Sequence, residues 1–161
     1  EDAAGNSWSP PALIEQSNFM PLTVAAVESN PAVLGFDDVS GNPTQLVFRR
    51  ANDSMGSNWG SPVVVHSEPG GFFGPGESWA NVMVAFHVVN ARPVIAFATG
   101  GQTKISFVRA DDSVGSSWPP ADVLLDQVTK ARFFTLTEVS GRLAFGFTTE
   151  SVETNRLAIE Q

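Results

Sequence analysis

Cysteine and tyrosine are both absent from this chain of 161 residues. Without cysteine there can be no disulfide, no thiol nucleophile and no thiolate metal site. Without tyrosine no phenolate nucleophile is available. Basic residues are scarce: nine Lys and Arg face 17 Asp and Glu, a formal net charge of −8. No basic stripe tracks a phosphate backbone, so nucleic acid is not an expected partner. The same sign of charge disfavours anionic membrane surfaces. No apolar run reaches the roughly 18 residues of a spanning helix, so membrane insertion is not expected. The two histidines, His66 and His87, lack the spacing of a metal-ligand motif. Neither a Gly-x-Ser-x-Gly elbow nor a phosphate-binding glycine pattern occurs. No cofactor and no metal are expected.

What is present is a repeat. Hydrophobic residues make up 42% of the chain, enough for a packed core, and 14 Gly and 11 Pro lie in short clusters that suit many turns. Arg50-Ala51-Asn52-Asp53-Ser54-Met55-Gly56-Ser57-Asn58-Trp59 matches Arg109-Ala110-Asp111-Asp112-Ser113-Val114-Gly115-Ser116-Ser117-Trp118. A partial third copy, Asp2 through Gly5 to Trp8, opens the chain. After each Trp comes a Pro and then a short apolar run: Ala12-Leu13-Ile14, Val63-Val64-Val65 and Val123-Leu124-Leu125. Internal repeats of this kind set the architecture before any local feature does.

Three further runs precede each such turn. They are Leu22–Val27, Pro31–Phe36 and Gln45–Arg50; then Val82–Val89, Pro93–Phe97 and Lys104–Arg109; then Phe133–Val139, Leu143–Phe147 and Arg156–Glu160. All are short, rich in Val, Ile, Phe and Thr, and bounded by turn residues, with no capped 3.6-residue period. The unit is therefore a four-stranded one, and the expected fold is all-β: one β-propeller domain over 1–161. Its three blades fall at about 17–67, 76–127 and 130–161, the last completed by residues 1–16. The tryptophans at 8, 59 and 118 stand 51 and 59 residues apart. Read as a circle, the N-terminal turn supplies what the third unit lacks, and propellers close their rings by such a strand. Three blades are fewer than the four to eight of known rings. A homodimer forming one six-bladed ring is expected, with a head-to-tail filament or a longer parent chain as the rivals.

Each residue of the recurrent turn has a physical reason. Gly56 and Gly115 can take positive φ. Asp53 and Asp112 can accept backbone N–H groups a few residues on. Trp59 and Trp118 offer a large apolar face for packing, or a platform for a sugar ring. The pattern resembles the Asp-box (BNR-type) repeats of sialidase-like β-propellers, and the related repeats of large secreted bacterial proteins. Asp lies three residues before Gly here, where the Asp-box has two. The resemblance implies the fold and places the motif at the third turn of each blade; without tyrosine it does not bring sialidase activity with it.

The longer tryptophan interval holds Glu68-Pro69-Gly70-Gly71-Phe72-Phe73-Gly74-Pro75-Gly76, a loop. Phe72 and Phe73 either cap the core beneath it or form a contact surface. Arg50 and Arg109 recur beside the turn and either meet ligand carboxylates or pair with nearby acids and cover tryptophan faces. Asp37, Asp38 and Glu150 are the acids placed for a glycosidase pair. No triad or metal motif accompanies them, so the chain is expected not to be an enzyme. It reads as a non-catalytic binding module, lectin-like or adhesive, with a glycan as a possible ligand. The alternative is a structural subunit of an extracellular assembly, and a glycoside-active enzyme ranks third. The acidic, Ser/Thr/Asn-rich, Lys-poor β-repeat points to an extracellular or cell-surface location, and a first residue that is Glu1 rather than Met fits a removed signal peptide or a cut chain equally.

Overall fold

The computed structural model describes residues 13–14, 19–37, 43–73, 83–99, 101–128, 130–149 and 152–159, and every regular element among them is a β-strand. Sheet 1 contains β1 (Met20–Val27), β2 (Asn30–Phe36), β3 (Gln45–Arg50) and β4 (Val63–Ser67) in that order. Sheet 2 repeats the meander with β5 (Val84–Val89), β6 (Arg92–Thr99), β7 (Lys104–Arg109) and β8 (Asp122–Leu125). In sheet 3, β9 (Ala131–Val139), β10 (Arg142–Thr149) and β11 (Val152–Ile159) lie antiparallel, with β11 at the edge. The expected runs at Gln45–Arg50 and Lys104–Arg109 coincide with β3 and β7, and β11 begins four residues before the expected Arg156. The N-terminal turn residues Asp2, Gly5 and Trp8 lie outside the described residues. Leu13 and Ile14 are described and form no strand here.

The repeat is one of register as well as sequence. The β3–β4 ladder slips between Leu46 and Val47, and the β7–β8 ladder slips at the corresponding Ile105 and Ser106. Each slip adds one residue to the outer strand, Val65 in β4 and Leu124 in β8. A bulge of this kind turns its side chain off the strict alternation.

All three first hairpins close through two residues at positive φ: Glu28 and Ser29, Asn90 and Ala91, Ser140 and Gly141. Consecutive left-handed residues match the twist of the flanking strands, as type I′ turns do. Only the third of these turns uses glycine. Ala91, at φ 59°, carries a Cβ that this conformation penalises. Changing Ala91→Gly is expected to stabilise the chain by about 0.5–1 kcal/mol, the relief of that strain less the entropy of a freer unfolded chain. A rise in the urea midpoint checks it; a fall would contradict it.

The core lies between sheets. Leu34, Phe36, Leu46 and Phe48 of sheet 1 pack against Ile95, Phe97 and Val108 of sheet 2. On its other face sheet 2 presents Val94, Ala96 and Ile105 to Leu136, Phe145 and Phe147 of sheet 3. Alternation along β6 thus sends one set of side chains each way, and Pro93–Thr99 are buried without interruption. The first strands line up, β1 beside β5 and β5 beside β9. Meandering sheets stacked face to face, with their first strands on one side, make a propeller-like arrangement. The links between sheets fold back at one end: Glu68 N donates to Thr44 O (2.8 Å) and Ala131 N to Gln102 O (3.0 Å).

Candidate functional site

The recurrent turn between the third and fourth strands is built around one carboxylate. Asp53 Oδ1 accepts from the backbone N–H of Met55 (2.9 Å) and Ser57 (3.1 Å), and Oδ2 from Ser57 Oγ and Asn58 N (both 2.9 Å). In sheet 2, Asp112 Oδ1 accepts from Val114 N (3.0 Å), Gly115 N (2.6 Å) and Ser116 N (3.0 Å), and Oδ2 accepts from Ser116 Oγ. Gly56 (φ 68°) and Gly115 (φ 76°) let the chain curl round the acid. Both carboxylates have their acceptor capacity largely filled from within the turn.

The same bonds set their acidity. At Asp53 the Ser57 N–H and hydroxyl hold the carboxyl below the usual range, outweighing desolvation. At Asp112 burial pushes the carboxyl up, but the Ser116 hydroxyl and the Ser116, Gly115 and Val114 N–H groups together bring it down. A depressed folded pKa stabilises above the ordinary carboxylate pKa of about 3.9, and that contribution fades as pH falls through the folded value. Asp112→Asn should therefore be less stable than the parent at pH 7, and the gap should close as pH drops below about 4. Urea melts across pH check it; a gap that stays constant would contradict the assignment.

The two described tryptophans are half-buried beside these turns. Trp118 Nε1 donates to Gly115 O (2.9 Å), and its ring meets Phe48 of sheet 1 edge-on with centroids 5.5 Å apart. The Trp59 indole N–H is buried and finds no acceptor among the described residues. Arg50 Nε donates to Val27 O (2.9 Å), and its Nη2 lies 3.7 Å from Glu28. Glu28 in turn accepts from Ser113 Oγ, so the sheet 2 turn is tied to the first hairpin of sheet 1. Arg109 is half-buried at the matching end of β7. Phe72 is 3% exposed, its ring 4.7 Å from Phe36 and 6.2 Å from Phe97, so it offers a partner almost no surface. Phe73 is half-buried, 6.0 Å from Phe36. The loop beyond Phe73 lies outside the described residues.

Among the acids, Asp37 accepts from Gln45 N (3.0 Å), while Asp38 and Glu150 lie outside the described residues. His66 Nε2 stands 3.5 Å from Glu68, its ring 4.9 Å from that of Phe97. Among the described residues no three His, Cys, Asp or Glu side chains gather as a metal centre would need.

Two concavities escaped sequence reasoning, because residues far apart in the chain build them. A cavity of about 110 Å³ opens between sheets 2 and 3, lined by Ala96, Phe107, Leu124, Leu136, Phe145 and Ile159. A groove of about 170 Å³ runs along the face of sheet 1 turned away from sheet 2, past Val47, Val64, Arg49 and Asp37. Arg49 Nη1 donates there to Ile14 O (2.7 Å).

No family model matches the chain, and no curated protein matches it. Among solved structures, the chain is similar to a thermostable family-43 glycoside hydrolase at 10% identity and a TM-score of 0.48. The alignment covers 89% of this chain and 53% of that one, so the chain spans about half its length. The expectation that the chain is not an enzyme is corrected by this finding, since the similar structure is a glycoside hydrolase. The expectation rested on missing local motifs. Glycosidase carboxylates are brought together by the fold from separate segments and leave no such motif.

Proposed function

We propose that the chain is an assembly module: three blades of a propeller that associate side by side with further blades of the same kind. This is the structural-subunit reading of the repeat. The observation that carries it is the two-sided apolar character of sheet 1. Ala32, Val33, Leu34 and Phe36 in β2, and Leu46, Val47 and Phe48 in β3, form near-continuous buried runs. Such runs belong to strands covered on both faces. Sheet 2 covers the face of Leu34, Phe36 and Phe48. On the other face, among the described residues, Phe19 lies over Gly35 and Val33 and Val47 are buried within the chain itself, while Val64 remains 45% exposed beside the groove. The Trp59 indole N–H, buried with no acceptor among the described residues, belongs to the last turn of the same sheet. Trp118 shows what such a ring does when a neighbouring sheet is present: it packs on that sheet's phenylalanine.

The test is Val64→Glu. A surface change of this kind alters protomer stability by no more than about 0.5 kcal/mol. It places a charge in a buried interface, which should raise the dissociation constant of the assembly at least tenfold. The far-UV spectrum should stay that of the parent. A variant that associates as tightly as the parent would overturn the reading.

A further inference from the structure

We infer that the cavity between sheets 2 and 3 is a socket for the tryptophan turn of a second copy of this chain, with that copy's Trp8 as the occupant. The inference rests on the assembly reading and supplies its partner and its contact.

The molecule holds a filled version of the same site. At the junction of sheets 1 and 2, Phe48 is flanked edge-on by two rings, Phe86 at 5.9 Å and Trp118 at 5.5 Å. Gly115 of the same turn sits so close that a Cβ there would lie 2.6 Å from Phe48 Cε1. The register carries this site across to the junction of sheets 2 and 3. Phe48 pairs with Leu34, and Phe107 pairs with Ala96. Phe86 pairs with Ile95, and Leu136 pairs with Phe145. Val65 and Leu124 are the extra residues of the two matching bulges. Five walls of the cavity, Ala96, Phe107, Leu124, Leu136 and Phe145, are thus the counterparts of Leu34, Phe48, Val65, Phe86 and Ile95, with Leu136 in the place of Phe86. What the second junction lacks, among the described residues, is a counterpart of Trp118, and the space lies against Phe107 where that ring would be.

The sequence contains one more ring on the same turn. Asp53, Gly56 and Trp59 repeat their spacing in Asp112, Gly115 and Trp118, and again in Asp2, Gly5 and Trp8. The source of the turn follows from where the chain runs next. Phe48 faces sheet 2, so alternation turns Arg49 to the far side of sheet 1, and Arg49 holds the Ile14 carbonyl there. A chain's own residue 14 therefore sits at the end of the stack opposite sheet 3. A second copy, with its sheet 1 set beside sheet 3 of the first, brings its own residues 2–14 along the β11 edge and its Trp8 to the socket. The same step repeated by the second copy on the first closes a ring by a two-fold axis.

The absence of cysteine gives a clean test. Trp8→Cys and Leu124→Cys are made in separate full-length chains, mixed, and treated with a short bis-maleimide. A covalent pair of one chain of each kind is expected, and neither variant alone should give it in comparable yield. Leu143→Cys, which lines the same cavity, replaces Leu124→Cys should the latter fail to fold. Independently, Trp8→Ala should raise the dissociation constant of the assembly at least 30-fold, the range of an interface hot spot. No bridge in the mixture, or a double variant that closes within one chain at high dilution, would overturn the socket. If the parent is larger than one chain yet does not cross-link, the assembly reading stands and the socket falls. If the parent is a single 17.1 kDa chain, both fall.

Discussion

Phe48→Ala should cost about 3–5 kcal/mol, the range for emptying a buried aromatic site. The ring is 1% exposed and is shared by two sheets, held by Leu34 and Leu46 on its own side and by Phe86 and Trp118 on the other. Its loss opens a void that neither sheet can close alone, because the strand ladders fix their spacing. A cost of this size is a large part of the 5–15 kcal/mol that holds a typical domain together. The variant should lose cooperative unfolding, or unfold at much lower urea, and equilibrium denaturation followed by tryptophan fluorescence reads it. A loss below about 1.5 kcal/mol, the cost of a tolerated swap, would mean that the two sheets do not depend on this ring.

Gly115→Ala should cost about 2–5 kcal/mol, from two separable causes. The residue sits at φ 76°, where a Cβ is penalised by about 1–2 kcal/mol. The added carbon would also fall 2.6 Å from Phe48 Cε1, forcing the ring or the turn to move, at about 1–3 kcal/mol. The two causes separate in a double-mutant cycle. With Phe48 already alanine the collision is gone, so Gly115→Ala should then cost only the backbone share. A coupling of at least about 1 kcal/mol is expected between these positions in contact. Simple additivity would show that the turn does not press on the ring. Gly56, at φ 68°, is the natural control, because its Cβ would meet nothing closer than Pro31 at 3.4 Å.

The contrast between these glycines marks what the sequence could and could not reveal. Their shared φ was legible, since an Asp three residues earlier and a Trp three later define a turn whose geometry is local. The collision with Phe48 was not, because it depends on a strand more than sixty residues away. Strand order was legible for the same local reason: the turn-bounded runs at Gln45 and Lys104 became β3 and β7 over the expected residues. The hairpins at Glu28-Ser29 and Asn90-Ala91 adopt positive φ without glycine, and of these four residues only Asn90 is of a type that favours that conformation. Phe72 illustrates the limit at the candidate site. An apolar pair in a glycine-rich loop reads alike whether buried or exposed, and only the nearness of Phe36 and Phe97 decides it. Catalysis was ranked last on missing motifs, a test blind to acids delivered by separate loops.

The cavity between sheets 2 and 3 lies between these extremes. No stretch of sequence announces it, yet Ala96, Phe107, Leu124, Leu136 and Phe145 among its walls have repeat partners on or beside Phe48. Once Phe107 is set against Phe48, the missing ring is defined by what surrounds the filled site. Association of the chain with further copies is tested most directly by one measurement: the mass of the intact, folded chain in solution by light scattering over a range of concentrations. A discrete particle of two chains, each of 17.1 kDa, is the expected result, and a well-folded single chain at every concentration would contradict it.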